Sequence, residues 1–154
     1  MPSYEPIVAA GANACVLHYR ANRDELKDGD LLLVDAGAEY GWYASDITRT
    51  FPVNGRFSPE QRAIYELVLA AQHAAIGEVR PGRHWDDIHQ AAVRKLSAGL
   101  IELGLLKGSL KKVIAAERYK DFYMHKTGHW IGLDVHDVGD YRIDGHSRLL
   151  EPGM

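Results

Sequence analysis

The chain has 154 residues, 46% of them hydrophobic and 25% charged, which is the size and make-up of one ordinary soluble globular domain. Its 18 Lys and Arg stand against 21 Asp and Glu, and a formal net charge of −3 gives no electrostatic case for nucleic acid or for an anionic membrane surface. No apolar stretch approaches the ~18 residues of a membrane span, and MPSYEPIV lacks the basic flank and apolar run of a signal peptide, so a cytoplasmic protein is expected.

The first half reads as strands. IVAAG, ACVLHYR, DLLLVDAGAEY and GWYASDITRTFPV are apolar or alternating runs separated by Gly11-Ala12-Asn13, Arg23-Asp24 and Asp28-Gly29-Asp30, a pattern that predicts an antiparallel meander. The single cysteine, Cys15, excludes an internal disulfide, fits a reducing compartment, and is expected to be a small buried residue of ACVLHY. A turn at Tyr40-Gly41 would place Asp35 directly opposite Asp46.

A helix follows, with Ser58 as its cap, Pro59 at its first position and Gln61 completing a capping box. Ile64, Leu67, Val68, Ala71 and Ala75 make one apolar stripe, and Arg80-Pro81-Gly82 ends the element. A second helix is predicted from Trp85 to Leu103, with Ile88, Ala92, Leu96 and Leu103 apolar and Gly104 as its stop. Leu105 to Tyr123 reads as a linker with some helical character. HWIGLDVHDVGDYRIDG, from His129, reads as short strands and turns. With no internal repeat or low-complexity segment, the simplest division is one α+β unit.

Two aspartates facing one another need an explanation. Directly opposed side chains on an antiparallel pair have Cβ atoms ~4.5–5.5 Å apart, where like charges destabilise. A divalent cation resolves the conflict, because two carboxylates converging on one point suit a hard metal. The alternative is a different register that leaves both at solvent-facing strand ends, although Asp35 closes the apolar run Leu31 to Val34.

Of eight histidines, His125, His129 and His136 concentrate in FYMHKTGHWIGLDVHDVG, the natural source of imidazole ligands or proton-transfer groups. Thr127-Gly128 argues against a helix carrying His125 and His129 together. On one straight strand His129 and His136 would face opposite ways, so a shared site requires a bend, and Gly132 is where it can occur. His18, in VLHY, fits a core histidine or a functional one. His73 is expected to face solvent, and His84, His89 and His146 to be ordinary surface residues.

DAGAEYGWYASDITRTFPV with HKTGHWIGLDVHDVG resembles the catalytic domain of the Xaa-Pro aminopeptidases (aminopeptidase P), pita-bread metallopeptidases of family M24. PSYEPIVAAGANACVLHY, FSPEQRAIYELVL, VRPG and LEPGM agree, so the likeness covers the whole chain. It implies a curved antiparallel sheet flanked by helices, and a site for two divalent ions, usually manganese. The motif matches make Asp35, Asp46 and His129 metal ligands. His18 and His136 fall on histidines that hydrogen-bond substrate or the tetrahedral intermediate, His125 on one lining the pocket near proline, and Tyr4 and Thr48 on positions that support the ligands. The implied reaction is attack of a metal-bridging hydroxide on the peptide bond before proline, releasing the N-terminal residue. Peptides with penultimate proline are the implied partners, and a homo-oligomer is expected of the full-length enzyme.

In the family, two glutamate ligands, the first of them the proton acceptor, lie downstream of the LEPGM segment. A helix and a whole domain precede PSY. The chain therefore reads as a partial pita-bread domain cut at both ends, residues 1–154, expected to bind at most one ion weakly and to be impaired or inactive alone. Open sheet edges and an uncovered apolar face are expected to favour association. Xaa-Pro dipeptidase (prolidase) activity and a non-catalytic pita-bread module for protein binding are the other readings.

Overall fold

In the computed structural model, which describes residues 1–154, three strands form an antiparallel sheet: β1 (Ile7–Ala10), β2 (Leu31–Ala36) and β3 (Ile47–Pro52), with β2 in the centre. The predicted four-strand meander loses its second strand. Gly11 takes a positive φ of 55°, and the backbone coils into a 3-10 turn over Gly11–Cys15, which leaves Cys15 exposed rather than buried. Val16 and Leu17 are 53% and 62% exposed. The open edge of β1 is met by a side chain instead. The Val8 N–H donates to Asn22 Oδ1 at 2.8 Å, and Asn22 Nδ2 donates to the Pro6 carbonyl at 2.8 Å.

The β2–β3 hairpin turns at Gly41-Trp42, two residues held at φ 58° and 74° between a Tyr40–Tyr43 pair that exchanges both backbone hydrogen bonds. Positive φ at both central residues matches the twist of the flanking strands. This centre moves the register two residues from the expected one. Asp35 faces Thr48, and Asp46 lies one residue before β3, diagonal to Asp35 instead of opposite it. The turn that wins over one centred on Tyr40-Gly41 is the one that closes with two backbone hydrogen bonds between Tyr40 and Tyr43, at 3.0 and 3.1 Å.

The chain folds as two compact units, Met1–Ala63 with His129–Gly139 and Ile64–Gly128 with Asp140–Met154. The first holds the sheet, with Ala9, Ala10 and Leu32 buried.

The helix α1 (Pro59–Ile76) starts as the sequence predicts: the Ser58 N–H donates to Gln61 Oε1 at 2.9 Å, and the Gln61 N–H donates to Ser58 Oγ at 3.2 Å. Its stripe is only partly used. Ala71 and Ala75 are buried, whereas Ile64 and Val68 are 40% and 53% exposed. Leu67 packs over Gly99 of α2 (Trp85–Glu102), where a Cβ would overlap the leucine side chain. That helix ends as the sequence predicts: Leu103 caps it, Gly104 takes φ 74°, and the Gly104 and Leu105 N–H groups return to the Ile101 and Leu100 carbonyls at 3.0 and 2.9 Å. Leu103 itself is 43% exposed.

The segment read as a linker contributes to the core. It forms α3 (Leu110–Ala115) and a 3-10 turn over Arg118–Asp121, and its Leu106, Val113 and Tyr119 pack with Val93 and Leu100 of α2. From His129 to Val138 there is no strand. Only β4 (Arg142–Ile143) and β5 (His146–Ser147) pair, around Asp144-Gly145. No helix is long and apolar enough to cross a membrane.

Candidate metal centre

The N-terminal segment pairs with β2 in two registers. Ile7 pairs with Asp35, but Pro2 bridges Ala38 and the Ser3 N–H donates to the Gly37 carbonyl at 3.1 Å. Residues 3–6 thus stand against only 36 and 37, and the surplus bulges. Bulges re-aim side chains, and this one points Tyr4 at the carboxylates. Tyr4 Oη lies 2.5 Å from Asp35 Oδ1 and 2.9 Å from Asp46 Oδ1. Gly37 makes room for the strand crossing: any Cβ there would overlap the Ser45 carbonyl and Ser3 Oγ, themselves hydrogen-bonded at 2.6 Å.

The third member arrives on a loop closed by its own polar groups. The Asp137 N–H donates to the Trp130 carbonyl at 3.0 Å, and the Asp137 carboxylate accepts the Leu133 and Val138 N–H groups at 3.1 and 2.9 Å. Gly132 sits where a Cβ would overlap Asp137 Oδ2, so the turn occurs at that glycine, and its carbonyl accepts the Ala44 N–H at 2.7 Å. His129 Nδ1 contacts the Trp130 carbonyl at 2.9 Å. A carbonyl only accepts, so Nδ1 carries a proton, and Nε2 faces Asp46 Oδ2 at 3.1 Å. The turn also brings the His136 ring to 4.1 Å from the His129 ring, centroid to centroid.

Of the residues singled out in the sequence, Tyr4, Asp35, Asp46, His129 and His136 come together. Thr48 stands across from Asp35, but its side chain makes no hydrogen bond to either carboxylate. His18 is not on a strand. It is exposed in the turn after Cys15 at φ 54° and has no hydrogen-bond partner. His125 belongs to the other unit, where its ring meets the edge of Tyr123 at 4.7 Å. Two histidines read as surface residues are more than that. His84 sits at the N-cap of α2, its N–H on Asp87 Oδ2 at 3.0 Å, and His89 is half-buried with Nδ1 2.8 Å from Thr127 Oγ1. Spacing carried the signal for His89, which falls three and seven residues before Ala92 and Leu96 on the same face.

Burial, and then the hydrogen bonds to the two aspartates, hold the Tyr4 hydroxyl far above the ordinary phenol range. It stays a donor. Asp35, Asp46 and His129 are not drawn into a closed cage: no three ligand-type side chains gather about one point.

Residues 1–154 match the profile of metallopeptidase family M24. The chain belongs to this family. The M24 chain is 55% identical, over 153 residues, to the Xaa-Pro aminopeptidase of Haemophilus influenzae, covering 99% of this chain and 35% of that protein. Among solved structures it superposes on aminopeptidase PepP of Pseudomonas aeruginosa with a TM-score of 0.98 at 64% identity, covering 100% of this chain and 35% of that one. A zinc-substituted Escherichia coli aminopeptidase P in complex with product gives a TM-score of 0.94 at 51% identity, over 99% of this chain and 34% of that chain. The fold is therefore a partial pita-bread fold, and the chain spans about a third of the length of these relatives.

The donors fit a divalent cation in this M24 chain. Carboxylate oxygens and an imidazole nitrogen are donor types such an ion takes, and Asp46 Oδ2 and His129 Nε2 already face one another at 3.1 Å. Asp35 is tied to the same carboxylate through the Tyr4 hydroxyl.

Proposed function

We propose that the full-length protein is a metal-dependent aminopeptidase that releases the N-terminal residue from peptides with proline in second position. The observation that carries this is the junction of Asp46 with His129 Nε2, joined to Asp35 by Tyr4, in a chain similar along its whole length to proteins named Xaa-Pro aminopeptidase. Asp35, Asp46 and His129 would hold the ion, two ions are proposed for the site of the full-length protein, and manganese is the proposed metal. A divalent ion there supplies Lewis acidity and lowers the pKa of water.

The chain's own groups do the rest. The Trp130 carbonyl fixes the His129 tautomer so that Nε2 remains a donor of electrons. Tyr4 keeps its proton and holds the two carboxylates in one orientation. His136, packed on His129, is proposed to hydrogen-bond the substrate, and His18, in the same unit, to contribute to that binding. A cytoplasmic homo-oligomer completes the reading.

The test is made on the full-length protein after chelation. Release of the first residue from an Xaa-Pro-Xaa peptide should vanish with chelator, return with Mn2+ and fall by about 100-fold in kcat/KM in Asp46→Asn. Release that survives chelation, or cleavage confined to Xaa-Pro dipeptides, would overturn the proposal.

A further inference from the structure

Residues 123–128 belong to no helix or strand, so side chains must hold them. Tyr123 Oη meets Thr127 Oγ1 at 2.7 Å and closes a short loop with His125 at its apex. His89 Nδ1, from α2, meets the same Thr127 oxygen at 2.8 Å. One hydroxyl offers a single proton and two lone pairs, so it can serve both partners. The Tyr123 ring lies 5.8 Å from that of His89 and meets the His125 ring nearly edge-on, at 4.7 Å and 73°. His125 Nδ1 donates to the Lys126 carbonyl at 2.9 Å, which leaves Nε2 of an exposed imidazole open. The ring is thus fixed on two sides and free at one nitrogen.

We propose that His89 and Thr127 are positioning residues that fix, through Tyr123, the His125 imidazole for a peptide ligand. The placement of His125 stands on this geometry, and only its use on a peptide rests on the aminopeptidase reading.

In the full-length protein, Thr127→Val removes the shared hydroxyl at nearly constant shape. It should raise KM for an Xaa-Pro-Xaa peptide about tenfold, the effect of one lost hydrogen bond, and leave kcat unchanged. Thr127→Ser and His89→Asn, which keep the hydroxyl and a side chain able to donate or accept, should restore the wild-type KM. In a His125→Ala background, Thr127→Val should change nothing further, because a group acting through His125 has nothing left to act on. A readout without catalysis is the ring-proton signal of His125 in histidine-labelled protein, identified by its loss in His125→Ala. It should shift in Thr127→Val and in His89→Leu as the Tyr123 ring current moves, and stay in place in Thr127→Ser. An unmoved signal in Thr127→Val and His89→Leu, or additive KM effects in the double variant, would overturn the proposal. A wild-type protein that cleaves no peptide would defeat the aminopeptidase reading alone, and the His125 signal would still decide this one.

Discussion

A phenol has one proton, and Tyr4 faces two carboxylates with it. When both aspartates are ionised, one of them must look at a phenol lone pair, and the second oxygen of Asp46 already looks at His129 Nε2. The group is short of positive charge, which a proton or a cation supplies. Tyr4→Phe removes the only donor the two carboxylates share, and the expected loss is about 1–3 kcal/mol in urea unfolding of metal-free protein. An unchanged midpoint would mean that the phenol holds nothing.

His89 gives a pH dependence of opposite origin. Burial, then Lys126 and lesser repulsion from His125 and Lys120, press it below the ordinary imidazole range against the pull of Asp86. The folded chain therefore takes up this proton less readily than the unfolded chain, so the stabilisation is present above about pH 6.5 and is lost as pH falls toward the depressed folded value. His89→Asn should show a smaller drop in urea midpoint between about pH 7 and pH 5 than the parent, and an equal drop would refute the argument. Residue type and motif made Asp35, Asp46 and His129 legible in the sequence. The aim of Tyr4 was not, because it depends on a bulge between two registers that no local pattern announces.

The β2–β3 hairpin is an element whose turn contains its own strain. Trp42 occupies φ 74° and is 79% exposed, so it has the cost of the left-handed region and little burial to offset it. Trp42→Asn is expected to stabilise the protein by about 0.5–1 kcal/mol, measured as a higher melting temperature, since asparagine tolerates that conformation. A lower melting temperature would show that the indole packs usefully. The same hairpin marks how far sequence reasoning reached. Its strands were legible as apolar runs, but its register was not, because Gly41-Trp42 and Tyr40-Gly41 are both admissible centres and only the cross-strand Tyr40–Tyr43 pair separates them. The helices were more legible, since the Ser58 cap and the Gly104 stop are chemical signals carried by single residues. The burial of α1 was not, because periodicity shows that a stripe exists and not what covers it.

The two units have unequal cores, and this sets where the molecule opens. One buries Val93, Leu100, Leu106, Val113 and Tyr119 in a single cluster, whereas the unit with the sheet buries Ala9, Ala10, Leu32 and Pro52. Each buried methylene contributes ~0.8 kcal/mol, so the sheet unit has less holding it closed, and yet it carries Asp35, Asp46 and His129. In hydrogen exchange without metal, the amides of β2 and β3 are expected to exchange sooner than those of Val93 to Leu100 in α2. A ligand that binds only the closed state adds RT ln(1 + [L]/Kd) to every opening that breaks its site, ~2.7 kcal/mol at a hundred times Kd. Saturating Mn2+ should therefore slow exchange in β2, in β3 and across His129–Gly139, while local openings of α3 keep their rate. Equal protection of both units, or none in either, would separate the metal from the Asp35, Asp46 and His129 cluster.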